Sequence, residues 1–169
     1  TIRNPVPPAQ KNSNPLNKIL ILGIGNYLMG DEGLGVHFAQ ILEKEGPPPG
    51  ADVVDGGTGG FHLTSYFESY PVVILVDATL DKHPPGTIRL IEPRFSKDYP
   101  KSMSTHDIGM KDLLEALIFM NKLPKVYLFT VSIASLQQQQ VTLSPEIQAV
   151  LPMLKNQVSA LIAGKLMME

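Results

Sequence analysis

The sequence predicts an α/β fold: a single-domain, three-layer αβα sandwich whose doubly wound, mostly parallel sheet has about five strands, one of them an antiparallel edge strand. Two apolar runs, Ile19 to Leu22 and Val72 to Val76, show no alternation, the pattern of strands buried on both faces of a parallel sheet. Between such runs lie stretches with helical spacing, Leu34, Phe38, Ile41 and Leu42 first, and later Leu113, Leu114, Leu117 and Ile118. The ends of the apolar runs carry glycine-rich or acidic residues, as expected where an open sheet presents a binding crevice.

Taken in order, Thr1 to Asn17 contain Pro5, Pro7, Pro8 and Pro15 among polar residues. That composition cannot hold a helix or a central strand, so residues 1–17 read as a flexible tail and residues 18–169 as one α/β domain. Strand one runs into Gly23-Ile24-Gly25-Asn26-Tyr27-Leu28-Met29-Gly30-Asp31-Glu32-Gly33, with Asp31 and Glu32 where the next helix begins, near its positive dipole end. Gly46 followed by Pro47-Pro48-Pro49 ends that helix. Ala51 to Asp55 is a short strand leading into Gly56-Gly57-Thr58-Gly59-Gly60, so dense in glycine that its backbone is tightly folded or closely approached by another group. A helix from about Phe61 to Ser69 follows, then the strand Pro71 to Ala78, which contains Asp77. Thr87 to Ile91 alternates polar and apolar residues, as an edge strand would. Glu92 to Thr105 is irregular, and His106 stands at the entrance of the helix carrying Leu113. Val126 to Val131 is a further strand, Gln137 to Gln140 a polar loop, and Ser144 with Pro145 caps a last helix through about Ala163.

Composition narrows the function. The chain has 169 residues, 43% hydrophobic and 18% charged, ordinary values for one globular core. A net charge of -2 provides no basic field to attract nucleic acid or anionic lipid. The apolar runs fall far short of the roughly 20 residues that cross a bilayer. The absence of cysteine removes disulfides, thiolate nucleophiles and thiolate metal ligands together. No secretion signal is evident, and the expected setting is cytoplasmic, without nucleic-acid or membrane partners.

The glycine-rich turn invites comparison with phosphate-binding loops, and fails both. A dinucleotide fingerprint needs glycine where Leu28 stands, and a Walker loop needs Gly-Lys-Ser/Thr where the chain has Gly30-Asp31-Glu32. Two carboxylates at this point repel phosphate and suit a cation. If strand two lies on one side of strand one and strand three on the other, the winding reverses between strands one and three, and ligands bind at the carboxyl ends there. Glu32 and Asp77 would then face each other across the crevice, with Gly56 to Gly60 as one wall and the turn holding His106 as the other. Two carboxylates and one imidazole form an open three-ligand site suited to Zn, Ni, Co or Mn. The plainer readings are that Asp31 and Glu32 cap a helix, that His106 caps or packs, and that Asp77 bonds loop amides. His37 follows Glu32 by five residues and points away from it on an ideal helix, His83 before Pro84-Pro85 reads as a surface turn, and His62 as a polar residue at a helix start.

Four blocks in order, Gly23 to Val36, Asp55 to Gly60, Val76-Asp77-Ala78 and Ser104-Thr105-His106-Asp107-Ile108-Gly109, resemble the hydrogenase maturation peptidases. These endopeptidases remove the C-terminal extension of the large subunit of nickel-iron hydrogenases, and the resemblance covers roughly Lys18 to Leu161. It implies that Glu32, Asp77 and His106 are metal ligands and catalytic residues, and makes Asp31 a candidate base or supporting residue. It further implies a metal-dependent hydrolase acting on a nickel-iron hydrogenase large-subunit precursor, with nickel supplied by that precursor and zinc or cadmium able to substitute. The protein itself is expected to be a monomer. One departure stands out: where the family usually has a glycine shortly before the last helix, this chain has Val141-Thr142-Leu143 after the glutamine run. The same three ligands would also serve a nickel-binding or sensing factor that cleaves nothing.

Overall fold

The computed structural model describes residues 17–100, 108–135 and 140–167. Its sheet has five strands in the order β2-β1-β3-β5-β4. These are β1 (Ile19–Gly23), β2 (Ala51–Asp55), β3 (Val72–Thr79), β4 (Ile88–Ile91) and β5 (Lys125–Ser132). The first three and β5 run parallel, and β4 pairs antiparallel with β5 at the edge. With β2 on one side of β1 and β3 on the other, the condition for a switch point is met: the winding reverses between β1 and β3, and the crevice lies at their carboxyl ends.

Alternation along the strands divides the core into two layers. Ile19, Ile21, Ile74, Val76, Tyr127 and Phe129 face α1 (Leu34–Glu45), α4 (Pro145–Gln148) and α5 (Leu151–Met167). Leu20, Leu22, Val73, Leu75, Val126 and Leu128 face α2 (Thr64–Ser69) and α3 (Ile108–Phe119). Both faces of the central strands are buried, which is why their sequences are continuously apolar. At the amino-terminal end of the sheet, buried Asp52 accepts bonds from Asn17 Nδ2 at 3.0 Å and the Tyr70 hydroxyl at 2.6 Å. Among the described residues no helix is long and apolar enough to cross a membrane.

Three local expectations are corrected. Asp31 and Glu32 sit in a 3-10 turn, Gly30–Gly33, one turn before α1 begins. The helix expected from Phe61 opens as a 3-10 turn, Phe61–Leu63, and becomes α-helical at Thr64. The last helix is two helices, not one. Pro152 has no N–H to bond the Gln148 carbonyl, so the ladder breaks after α4 at Gln148, and Pro152 sits in the first turn of α5, where its missing N–H costs nothing. The tail residues 1–16, the segment 101–107 and residues 136–139 of the glutamine loop lie outside the described residues.

Candidate active site

The β1 to α1 connection is drawn tightly onto the sheet by missing side chains. A Cβ on Gly35 would overlap the carbonyl oxygens of Ile24 and Val76, so only glycine lets the start of α1 press against the ends of β1 and β3. The glycine loop after β2 is stitched to the same place: Gly56 N donates to Gly23 O and Gly25 N donates to Gly57 O, both at 2.8 Å. Gly57, with φ 57°, and Gly59, with φ 82°, make this turn possible, and Gly59 packs on Met110 of α3. Asp55 closes β2 outside the crevice proper, exposed and bonded to Gly57 N and Gln40 Nε2.

Within this frame Glu32 is 1% exposed and Asp77 is fully buried. Glu32 lies in the 3-10 turn that packs against β3, and Asp77 lies near the carboxyl end of β3 itself, two residues before Thr79. Asp77 Oδ1 accepts the Ala78 N–H at 2.8 Å. Two buried carboxyl groups on contacting elements are chemically fitted to a hard or borderline divalent cation, which would draw oxygen ligands from both. Among the described residues no cluster of three histidine, aspartate or glutamate side chains is placed to hold a metal. His106, the third predicted ligand, lies outside the described residues.

Asp31 has a different place. Its Oδ1 accepts Ser144 N–H at 2.7 Å and its Oδ2 accepts the Ser144 hydroxyl at 2.8 Å. Ser144 therefore gives its hydroxyl to Asp31 and makes no side-chain cap on α4, contrary to the capping role expected from its position before Pro145. Gln140 strengthens the same junction: Gly30 N donates to its carbonyl at 2.6 Å and its own N–H donates to Leu28 O at 2.9 Å. His37 reaches this wall from α1, stacking on Tyr27 with ring centroids 4.8 Å apart. Burial pushes the His37 imidazole below its ordinary pKa, against the opposing influence of a bond to the Val141 backbone and of Asp31 and Asp55. His83 is exposed, as expected of a surface turn, and His62 is exposed in the 3-10 turn Phe61–Leu63. Leu28, Phe61 and Val141, at 60%, 59% and 47% exposure, are apolar side chains on the connections at this end of the molecule.

Sequence reasoning did not single out Thr130 and Ser132, two fully buried hydroxyl residues on the carboxyl half of β5. The signal was present in the alternation Leu128, Thr130, Ser132, where an apolar face turns polar.

A family model described as hydrogenase maturation protease matches residues 36–160. The chain belongs to the hydrogenase maturation protease family. This protease is 30% identical over 148 residues to the hydrogenase 2 maturation protease of Escherichia coli (strain K12), covering 85% of this chain and 90% of that protein. It is 38% identical over 112 residues to the hydrogenase expression/formation protein HoxM of Azotobacter vinelandii, covering 63% of this chain and about half, 53%, of that protein. Among solved structures it is similar to the hydrogenase maturating endopeptidase HybD from E. coli, with a TM-score of 0.76, 30% identity and coverage of 88% of this chain and 93% of that one. A second similar structure is the [NiFe] hydrogenase maturation protease HybD from Thermococcus kodakarensis, with a TM-score of 0.71, 26% identity and coverage of 86% and 99%. The fold of this maturation protease, five-stranded sheet and antiparallel edge included, is that of its family.

Proposed function

We propose that this maturation protease removes the C-terminal extension of a nickel-iron hydrogenase large-subunit precursor after nickel insertion, and that the precursor's nickel is what the site recognises. The observation supporting this reading is the burial of Glu32 and Asp77 on contacting elements at the switch point of the sheet. Together with His106 they form a donor set of two carboxylates and one imidazole, without a thiolate. Such a set holds a divalent ion only loosely, which suits an ion that arrives with the substrate and leaves with the product.

In this reading Glu32 and Asp77 bind and orient the metal-bearing end of the precursor, and His106 completes the set. The bound ion supplies Lewis acidity toward the scissile carbonyl or a water molecule. Hydrolysis consumes that water as the peptide C–N bond breaks, so no serine or cysteine nucleophile is needed. Asp31, with both oxygens held by Ser144, maintains the wall beside the site. The exposed Leu28, Phe61 and Val141 offer apolar contact to the precursor around the crevice.

Mass spectrometry of nickel-loaded and nickel-free precursor, each incubated with chelator-treated protease, tests the proposal. The expected result is shortening of the nickel-loaded form alone, without added metal. Cleavage of the nickel-free form at a comparable rate would overturn recognition of substrate-borne nickel. Cleavage of neither form, with nickel still bound by the protein, would favour a non-catalytic nickel-binding factor.

A further inference from the structure

On the face of the sheet that packs α2 and α3, β3 and β5 change character toward their carboxyl ends. Val73 and Leu75 of β3, with Val126 and Leu128 of β5, belong to the apolar core. Two residues further along each strand the same face presents Asp77 and Thr79 beside Thr130 and Ser132. All four are buried, at 1% exposure or less. The register pairs Asp77 with Thr130 and Thr79 with Ser132, one strand spacing apart. Beyond Thr130 the row continues to Arg89 of β4, whose guanidinium lies 3.9 Å from Asp81.

The hydroxyl oxygens of Thr130 and Ser132 have no hydrogen-bond partner among the described residues. A valine at position 130 would have the same branched shape and equal β propensity, and would bury no orphaned hydroxyl. A buried hydroxyl without a partner lowers stability, so its presence beside a carboxyl group needs a reason.

We propose that Thr130 is a positioning residue for the metal-binding carboxylate: its hydroxyl donates to Asp77 when Asp77 takes up a divalent ion. This rests on the reading of Asp77 as a metal ligand given above. A donor behind a ligating carboxylate fixes its orientation, and loss of such a donor commonly weakens metal binding. Thr130 is suited to this part because it is adjacent in register, buried, and uncommitted to any other described group. Ser132 faces Thr79 instead and serves as the control.

The test uses the full chain, titrated with Zn²⁺ and Ni²⁺ by calorimetry or equilibrium dialysis up to millimolar metal, with Tm measured in chelator. Thr130→Val should hold or raise the Tm of the metal-free protein while weakening metal binding by about tenfold or more. Thr130→Ser, which restores the hydroxyl, should bind metal like the wild type, and Ser132→Ala should too. Wild-type metal affinity in Thr130→Val, or a lowered Tm with no rescue of affinity by Thr130→Ser, overturns the assignment. Asp77→Asn separates this from the parent reading. If Asp77→Asn loses metal affinity and Thr130→Val does not, only the role of Thr130 falls. If Asp77→Asn binds like the wild type, or the wild type takes up no ion, the metal site falls with it.

Discussion

Asp31 holds Ser144 through both carboxylate oxygens, joining positions 113 residues apart in the chain. One bond comes from backbone and one from side chain, so the start of α4 is fixed to the 3-10 turn that also contains Glu32. A charge-assisted pair of this kind, with Asp31 only 3% exposed, is stronger than an ordinary surface contact.

Asp31→Ala should therefore destabilise the protein by about 1–3 kcal/mol, because it leaves a backbone and a side-chain donor unpaired. Ser144→Ala should cost less, since the backbone bond survives. A double-mutant cycle in urea checks this: the double variant should be less destabilised than the sum of the singles. Strict additivity would show that the two residues are not coupled.

Glu32→Gln and Asp77→Asn are expected to abolish processing of the precursor, and His106→Ala likewise. Glu32→Gln and Asp77→Asn change ligand atoms at nearly constant side-chain volume. Circular dichroism should find Tm within about 4 °C of the wild type, the shift of roughly 1 kcal/mol in a domain this size. Near wild-type cleavage by any of the three would remove that residue from the site.

Stability should also depend on His37 in a definite direction. Its pKa in the folded protein is lowered by burial, so below about 6.5 the unfolded chain binds the proton more readily than the native one. The stabilisation is fully present above the unfolded value and is lost as pH falls from 6.5 through the folded value. His37→Phe, which keeps a ring for Tyr27 to stack on, should flatten that part of the stability profile. An unchanged slope between pH 7 and the acid limb would assign the proton uptake to other groups.

Leu28→Asp and Phe61→Asp test the apolar rim. Both side chains are exposed, so Tm should not fall, whereas KM for the precursor should rise several-fold with kcat little altered. A fall in kcat at constant KM would instead place these residues in the chemical step.

Much of the architecture was legible because it rests on local pattern. Unbroken apolar runs announced β1 and β3 and helical spacing announced α1 and α3, while the switch point between β1 and β3 was conditional on a strand order that the tertiary structure supplied. The placement of Asp77 near the carboxyl end of β3 was legible too, since it closes an unbroken apolar run, whereas Glu32 lies beyond the end of β1 in a 3-10 turn whose packing no periodicity specifies. The division of the last helix was missed: the apolar positions carry one periodicity from Ser144 to Ala163, and the break comes from the missing N–H of Pro152.

Other features depend on partners distant in sequence. Asp31 and Glu32 are adjacent and chemically alike, yet the fold turns one to Ser144 and buries the other within the turn that packs against β3, because successive residues of a tight turn face different neighbours. Ser144 has every local mark of a helix cap, and gives its hydroxyl to a carboxylate that no local pattern could associate with it. The stack of Tyr27 on His37 and the buried row at Thr130 are likewise products of packing. Periodicity and chain order were enough to place the main strands and helices along the chain, because those depend on local spacing of apolar residues. Which polar group meets which was settled by packing, because these hydrogen bonds join atoms far apart in the chain, as Asp31 and Ser144 are.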